Sequence, residues 1–136
     1  MDPTEFNRQV IEEFRANAGV VGGAMEGMPL LLLTTTGAKT GQQRVNPLAF
    51  LSDGDRLIVI ASFAGAANSP PWFHNLVANP EVGVEVGDQQ FTARAVVMEE
   101  LERTDLYARM AEMMPIFAEY QSRTERVIPV VALTRV

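Results

Sequence analysis

The sequence predicts an α+β domain built on an antiparallel sheet or barrel of about six strands with about four helices, and three observations carry that reading. Short apolar segments are joined at hairpin spacing by the turn-forming runs Asp53-Gly54-Asp55 and Gly87-Asp88. Helical periods are interspersed among the strand segments but do not alternate with them one for one, as a parallel fold would require. The chain has 136 residues, 47% of them apolar, and contains no linker, which is the size and content of one domain with one core. Residues 1–136 are therefore expected to form a single domain, with 1–26 as an N-terminal helix and a Gly-rich connection.

In chain order, Phe6, Val10, Ile11 and Phe14 recur at helical spacing between Thr4 and Asn17, with Glu12, Glu13 and Arg15 opposite, and Gly19, Gly22 and Gly23 end the helix. Leu30 to Thr36 and Arg44 to Ser52 are strand-like, with GAKTGQQ as the turn between them, and a third strand runs from Arg56 to Ser62. After the small-residue loop SFAGAANS, PPWFHNLVANP is bounded like a short helix, by prolines at its first turn and Asn79-Pro80 at its end. Glu81 to Val86 and Gln89 to Met98 form the next hairpin. Glu100 to Met114 returns to helical periodicity until Pro115 breaks it, a second short helix reaches Tyr120, and the last strand spans Ile128 to Thr134.

Composition narrows the function. With no cysteine there is no disulfide and no thiolate nucleophile or metal ligand, no export signal is visible, and the cytoplasm is the default compartment. The longest apolar run, Met28 to Leu33, is far shorter than the ~20 residues of a membrane-crossing helix. A net charge of −6 argues against nucleic acid as a partner. Charge is unevenly spread, however. Residues 27 to 80 hold Lys39, Arg44 and Arg56 against Asp53 and Asp55, while the first 26 hold five acids and two arginines, so an anionic small ligand favours the middle third.

Within that third, TTTGAKTGQQRVNPL carries the only lysine in a chain with ten arginines. Its threonine hydroxyls, its glycines, Lys39 and Arg44 suit a phosphate; the same residues also suit an ordinary solvated hairpin turn. A nucleoside-triphosphate loop is excluded, because that pattern places glycine directly before the lysine, where this chain has Ala38. His74 is the only histidine and has no partners for a metal site, so it is a proton donor or, more commonly, a packed or capping residue. Trp72 and Phe73 read either as core or as a wall for a flat ring, and SFAGAANS either as a connection or as backbone lying against one. Met110, Met113, Met114, Phe117 and Tyr120, grouped about Pro115, read as core or as an adaptable apolar pocket.

Four segments, TTTGAKTGQQRVNPL, DGDRLIVIAS, PPWFHNLVANPEVGVEV and YQSRTERVIPVV, resemble in order the deazaflavin-dependent nitroreductase family, over about residues 28 to 136. The resemblance implies a split β-barrel that binds coenzyme F420, a 5-deazaflavin with a phosphate and an oligoglutamate tail, and passes hydride to a quinone, nitroaromatic or similar small-molecule acceptor. It places phosphate binding on Lys39, Thr40, Gly41 and Arg44, with Asn46 and Pro47 close to the ring. The ring-contacting strand end falls on Ala61 and Ser62, the helix motif on Trp72 and Asn75, and the acceptor pocket on Met114, Phe117 and Tyr120. Two charges common in the family are absent: Ala38 and Phe63 stand where arginine and lysine are frequent, Phe63 still in the cofactor wall. Met114 and Phe117 replace tyrosines, which makes the acceptor pocket more apolar.

The expected mechanism is one in which the coenzyme does the chemistry and the protein binds and orients it, with Ser62 or Tyr120 hydrogen-bonding the acceptor oxygen. The alternatives are a related split barrel that binds FMN or FAD, or a non-catalytic protein that sequesters the coenzyme or an apolar ligand. No metal site is expected. The amphipathic N-terminal helix is expected to dock on its own barrel or pair subunits in a homodimer; its negative charge disfavours, without removing, peripheral contact with a membrane.

Overall fold

A computed structural model describes residues 3–23 and 26–136; the remaining parts of the expected N-terminal segment, residues 1, 2, 24 and 25, lie outside the described residues. Helix α1 (Pro3–Ala16) is followed by β1 (Leu30–Thr36), β2 (Gln43–Ala49), β3 (Leu51–Asp53) and β4 (Arg56–Ile60). A 3-10 turn (Phe63–Gly65) leads to α2 (Pro71–Ala78), β5 (Glu81–Val86) and β6 (Gln89–Val97). The chain ends with α3 (Glu100–Met113), α4 (Ile116–Ser122) and β7 (Val130–Arg135).

The strands form one sheet in the order β2-β1-β5-β6-β7-β4-β3, and every neighbouring pair is antiparallel. The expected strand 44–52 is in fact two. Pairing with β1 occupies β2 as far as Ala49↔Leu30, whereas β3 pairs with β4 from Leu51↔Ile58. Phe50 belongs to neither ladder, and its N–H goes instead to Pro29 O at 3.0 Å. A strand that must serve both edges of one sheet has to leave the first ladder before joining the second. Its two halves lie at opposite ends of the strand order, so the sheet curls toward a closed barrel. This is the split β-barrel that the resemblance implied, with seven strands instead of six because one is divided.

The core has three parts. Inside the curl, Leu31, Leu33, Val59, Val84, Ala93 and Leu133 pack with Trp72 and Leu76 of α2. On the outer face α1 covers Leu30 and Leu32 with Val10 and Phe14, and α3 with α4 covers Ile58, Ile60, Val130 and Ala132 with Leu106, Met110 and Phe117. The run Leu30-Leu31-Leu32-Leu33 is thus buried on both faces, which is why it does not alternate. Burying each such leucine contributes about 1.5–3 kcal/mol.

Helix α1 is tied to β5 by Arg15, whose Nε and Nη2 donate to the Glu85 carboxylate at 3.0 and 2.8 Å. The Arg15 hydrogen bonds hold the Glu85 carboxyl below its ordinary value. A carboxyl depressed in the folded state stabilises the protein above its unfolded pKa of about 4.3, and that contribution is lost as pH falls through the lower folded value. Glu85→Gln is accordingly expected to lower the melting temperature at pH 7 and to narrow the difference between pH 7 and pH 3. Equal acid sensitivity of variant and parent in a thermal scan would show that the pair does not link α1 to pH.

Candidate functional site

Two adjoining volumes, of about 380 Å³ and about 710 Å³, form one groove along β2, and both are lined by Asn7, Asn46, Pro71 and Trp72. Their chemistry differs. The first is apolar, walled by Met28, Leu48, Ile60, Phe63, Met114 and Phe117, with Ser62 and Tyr120 as its polar edges. The second is the more polar of the two: Arg8, Arg15 and Arg44 face it against one acid, Glu12, together with Gln43 and Asn75. Arg8 is already held by Glu5 and Glu12, and Arg15 by Glu85. Arg44 forms no ion pair among the described residues and touches only Gln42 Oε1, at 3.3 Å, so it is the groove arginine with charge to offer an anion.

The hairpin loop 37–42 stands at the polar end. It is closed by Gly37 N–H to Gln42 O at 2.7 Å and Gly41 N–H to Gly37 O at 3.0 Å, with Gly41 at φ 71. Helix α2 anchors it: Asn75 Oδ1 accepts the Ala38 N–H at 3.1 Å, while Asn75 Nδ2 donates to Thr35 Oγ1 at 3.2 Å. Lys39 is exposed, with no hydrogen bond or ion pair among the described residues. A tethered loop carrying a free cation beside Arg44 is chemically suited to a phosphate.

At the apolar end, Ser62 is 9% exposed and opens the segment 62–69. Phe63 (φ 46) and Ala64 (φ 53) are consecutive left-handed non-glycine residues, followed by Gly65 at φ 78. Such backbone is costly and persists only where the surroundings hold it. Opposite lies α4, where Phe117 and Tyr120 pack edge to face with centroids 5.6 Å apart and the Arg123 guanidinium lies 5.6 Å from the Tyr120 ring centre.

The expected site residues are thus sorted. Asn46 and Trp72 line both halves, Arg44 and Asn75 the polar one, and Pro47, Ser62, Phe63, Met114, Phe117 and Tyr120 the apolar one. Lys39, Thr40 and Gly41 line neither volume but sit in the loop that continues from Gln43 and Arg44. Ala61 does not reach the groove: its side chain is in the inner core, its N–H goes to Pro129 O at 3.0 Å and its carbonyl accepts from Arg126. Asn75 has both ends of its amide committed to the loop and β1, so it builds the groove as much as it faces it. His74 is exposed and packs edge-on to Phe73 at 5.8 Å, outside both volumes. Of the ambiguous residues about Pro115, Met110 is core, Met113 is 43% exposed, and Met114, Phe117 and Tyr120 face the cleft.

Sequence reasoning missed two contributors. Asn7 on α1 reaches both halves of the groove, and Arg126 binds the segment 61–69 from behind. A polar residue on a helix's solvent side and an arginine in a connecting loop carry no local signal of such roles. Among the described residues no helix is long and apolar enough to cross a membrane, and no cluster of His, Cys, Asp and Glu has the composition of a metal site.

The family model described as F420H(2)-dependent quinone reductase matches residues 6–135. A protein of Mycobacterium tuberculosis named F420H(2)-dependent quinone reductase is 42% identical over 130 residues, covering 90% of this chain and 85% of that protein. A solved structure of an F420-H2 dependent reductase superposes with a TM-score of 0.71 at 38% identity, covering 77% of this chain and 93% of that one. Another, described as a domain-swapped dimer, gives a TM-score of 0.74 at 34% identity over 97% and 99% of the two chains.

Proposed function

The chain belongs to the F420H(2)-dependent quinone reductase family, and from that premise we propose that the groove along β2 holds coenzyme F420 with its phosphate at Lys39 and Arg44 and its ring in the apolar half. The protein is an oxidoreductase that uses F420 and reduces a quinone-type acceptor. Because the family is F420H(2)-dependent, the FMN or FAD alternative is not needed, and the storage alternative gives way to the enzymatic one. When bound, the reduced coenzyme supplies the hydride that the acceptor takes up.

The observation that carries the placement is the polarity of the groove, whose donor set fits a ligand with an anionic phosphate at one end and a flat ring at the other. At the polar end Arg44 and Lys39 offer unpaired positive charge, and Thr40 and Gly41 offer a hydroxyl and a backbone that comes close. Asn46, Pro47 and Trp72 border the junction, where a flat ring would be held between β2 and α2. Met114 and Phe117 give the acceptor a dry, apolar seat, and their replacement of tyrosines suits a quinone more than a polar nitro compound. Ser62 and Tyr120 stand at the edge of that seat, placed to hydrogen-bond an acceptor oxygen as negative charge builds on it. The protein's contribution is alignment and exclusion of water more than proton transfer.

Tyr120→Phe is expected to lower kcat for quinone reduction by about tenfold, the order of one hydrogen bond to a developing charge, with little change in F420 affinity. The assay follows oxidation of reduced F420 by a soluble quinone, and coenzyme binding is read separately from Trp72 fluorescence. Failure of the wild-type protein to bind F420 would remove the coenzyme assignment. Unchanged kcat in Tyr120→Phe would leave Ser62 as the hydrogen-bond donor. We infer that the chain acts as one split-barrel domain in the cytoplasm; pairing of subunits is supported by the domain-swapped form of a 34% identical structure.

A further inference from the structure

Arg126, in the segment between α4 and β7, lines neither half of the groove, yet all its side-chain hydrogen bonds go to one segment of its wall. Its Nε donates to Ala66 O at 2.8 Å and its Nη2 to Ser62 O at 2.7 Å. Both terminal nitrogens reach Ala61 O at 3.3 Å, and Nη1 also donates to Ser69 Oγ at 3.3 Å. The side chain forms no ion pair among the described residues. Desolvation pulls its pKa below the ordinary arginine range, and the group stays protonated at neutral pH. A half-buried cation without a carboxylate is tolerated only because carbonyl dipoles and a hydroxyl satisfy it.

What those acceptors have in common is the strained turn. Of three described non-glycine residues with positive φ, two are Phe63 and Ala64, inside the stretch that Arg126 spans from Ala61 to Ser69. Arg126 is itself braced from α4, because Gln121 Nε2 donates to Arg126 O at 2.8 Å, and just past the helix Thr124 Oγ1 accepts the Arg126 N–H at 3.3 Å. Through its guanidinium on one side and its backbone carbonyl on the other, Arg126 therefore joins the two walls of the apolar cleft, the 62–64 turn and the helix that carries Phe117 and Tyr120.

We propose that Arg126 is a positioning residue for hydride transfer, setting the Ser62–Ala64 turn against α4 and so fixing the space in which ring and acceptor meet. This rests on the reading of the groove as the coenzyme site. Lysine cannot replace it, since an ammonium on a flexible stem lacks the planar fork that reaches four acceptors at once. The Lys39 and Arg44 end of the groove is untouched by the change, so the phosphate anchor, which dominates coenzyme affinity, rests on residues that Arg126 does not contact.

Arg126→Lys tests this beside Arg56→Lys, which perturbs a comparable arginine bound to Asp53 and Glu102 away from the groove. Each variant is measured for thermal midpoint, F420 dissociation constant by Trp72 fluorescence, and kcat and KM with a soluble quinone. Arg126→Lys is expected to melt in one transition, bind F420 nearly as tightly as wild type and lose about 10- to 100-fold in kcat, the scale of a small misplacement of reacting groups. Arg56→Lys is expected to retain wild-type kcat. Ser69→Ala, which removes one acceptor, is expected to lower kcat in the same sense and decides the matter if Arg126→Lys does not fold. Wild-type kcat in a folded Arg126→Lys or, failing that, in Ser69→Ala overturns the proposal, as does an equal loss in Arg56→Lys. A wild-type protein that does not bind F420 instead overturns the groove assignment on which the proposal stands.

Discussion

Replacing Lys39 and Arg44 together by alanine raises the F420 dissociation constant by about two orders of magnitude, the largest effect on binding expected of this protein. A hydrogen bond to a charged group contributes about 1.5–3 kcal/mol, and each 1.4 kcal/mol is tenfold in affinity. Both side chains are exposed, so the lower figure applies to each. Neither is spent on an internal ion pair, so removing them costs the fold little and the ligand much. The single variants are expected to lose about tenfold each, with added salt weakening wild type toward them as the exposed charges are screened. A titration followed by Trp72 fluorescence reads this directly. Affinity unchanged in the double variant would mean that the phosphate does not sit at the hairpin loop.

Gly65→Ala carries the largest expected effect on stability. A Cβ at this position would lie 2.6 Å from Tyr120 O and 3.2 Å from Tyr120 Cα, and the residue has φ 78. The obstruction is backbone on one side and a left-handed conformation on the other, so neither can yield cheaply. The expected cost is about 2–4 kcal/mol, or roughly 10 °C in the melting temperature of a domain of this size. Because the contact is with α4, the survivors are also expected to show a disordered acceptor cleft and slower quinone reduction. Ala64→Gly, one residue earlier in the same left-handed turn, has no such effect on melting, since it removes strain instead of adding it. A Gly65→Ala protein that melts with the wild type would show that the turn and α4 do not pack as closely as described.

Much of this architecture was legible because it is written in local chemistry. β1 runs between Pro29 and Gly37, which opens the turn-forming run GAKTGQQ, and α2 is bounded by Pro70-Pro71 and Asn79-Pro80, whose backbone restrictions act on their own neighbours. The hairpins at Gly54-Asp55 and Gly87-Asp88 close with Asp53↔Arg56 and Val86↔Gln89 as their first pairs. The break at Phe50 was not legible, because nothing in AFLSD marks it. It follows from which strands lie at the two edges of the sheet.

The site divides in the same way. The cationic loop at Lys39 and Arg44, the small-residue turn after Ser62 and the aromatics of α2 and α4 stand in the sequence as separate motifs, and the resemblance joins them to one coenzyme. That Ala61 faces the inner core while Ser62 faces the groove is decided by the alternation of side chains at the end of β4, once the face of that strand is known. Arg126 is the extreme case: its acceptors lie 57 to 65 residues earlier in the chain, and no window around SRTERV contains them.

The sequence by itself determined the α+β class, most element boundaries, the family and the residue types proposed to meet the phosphate and ring, because turn chemistry, periodicity and motif order are properties of neighbouring residues. Only the tertiary structure decided that one strand serves both edges of the sheet, that α1 forms a wall of the groove, and that a single arginine binds the strained turn to α4. Those features are pairings between distant segments, and their free energy exists only when the curled sheet brings both partners together.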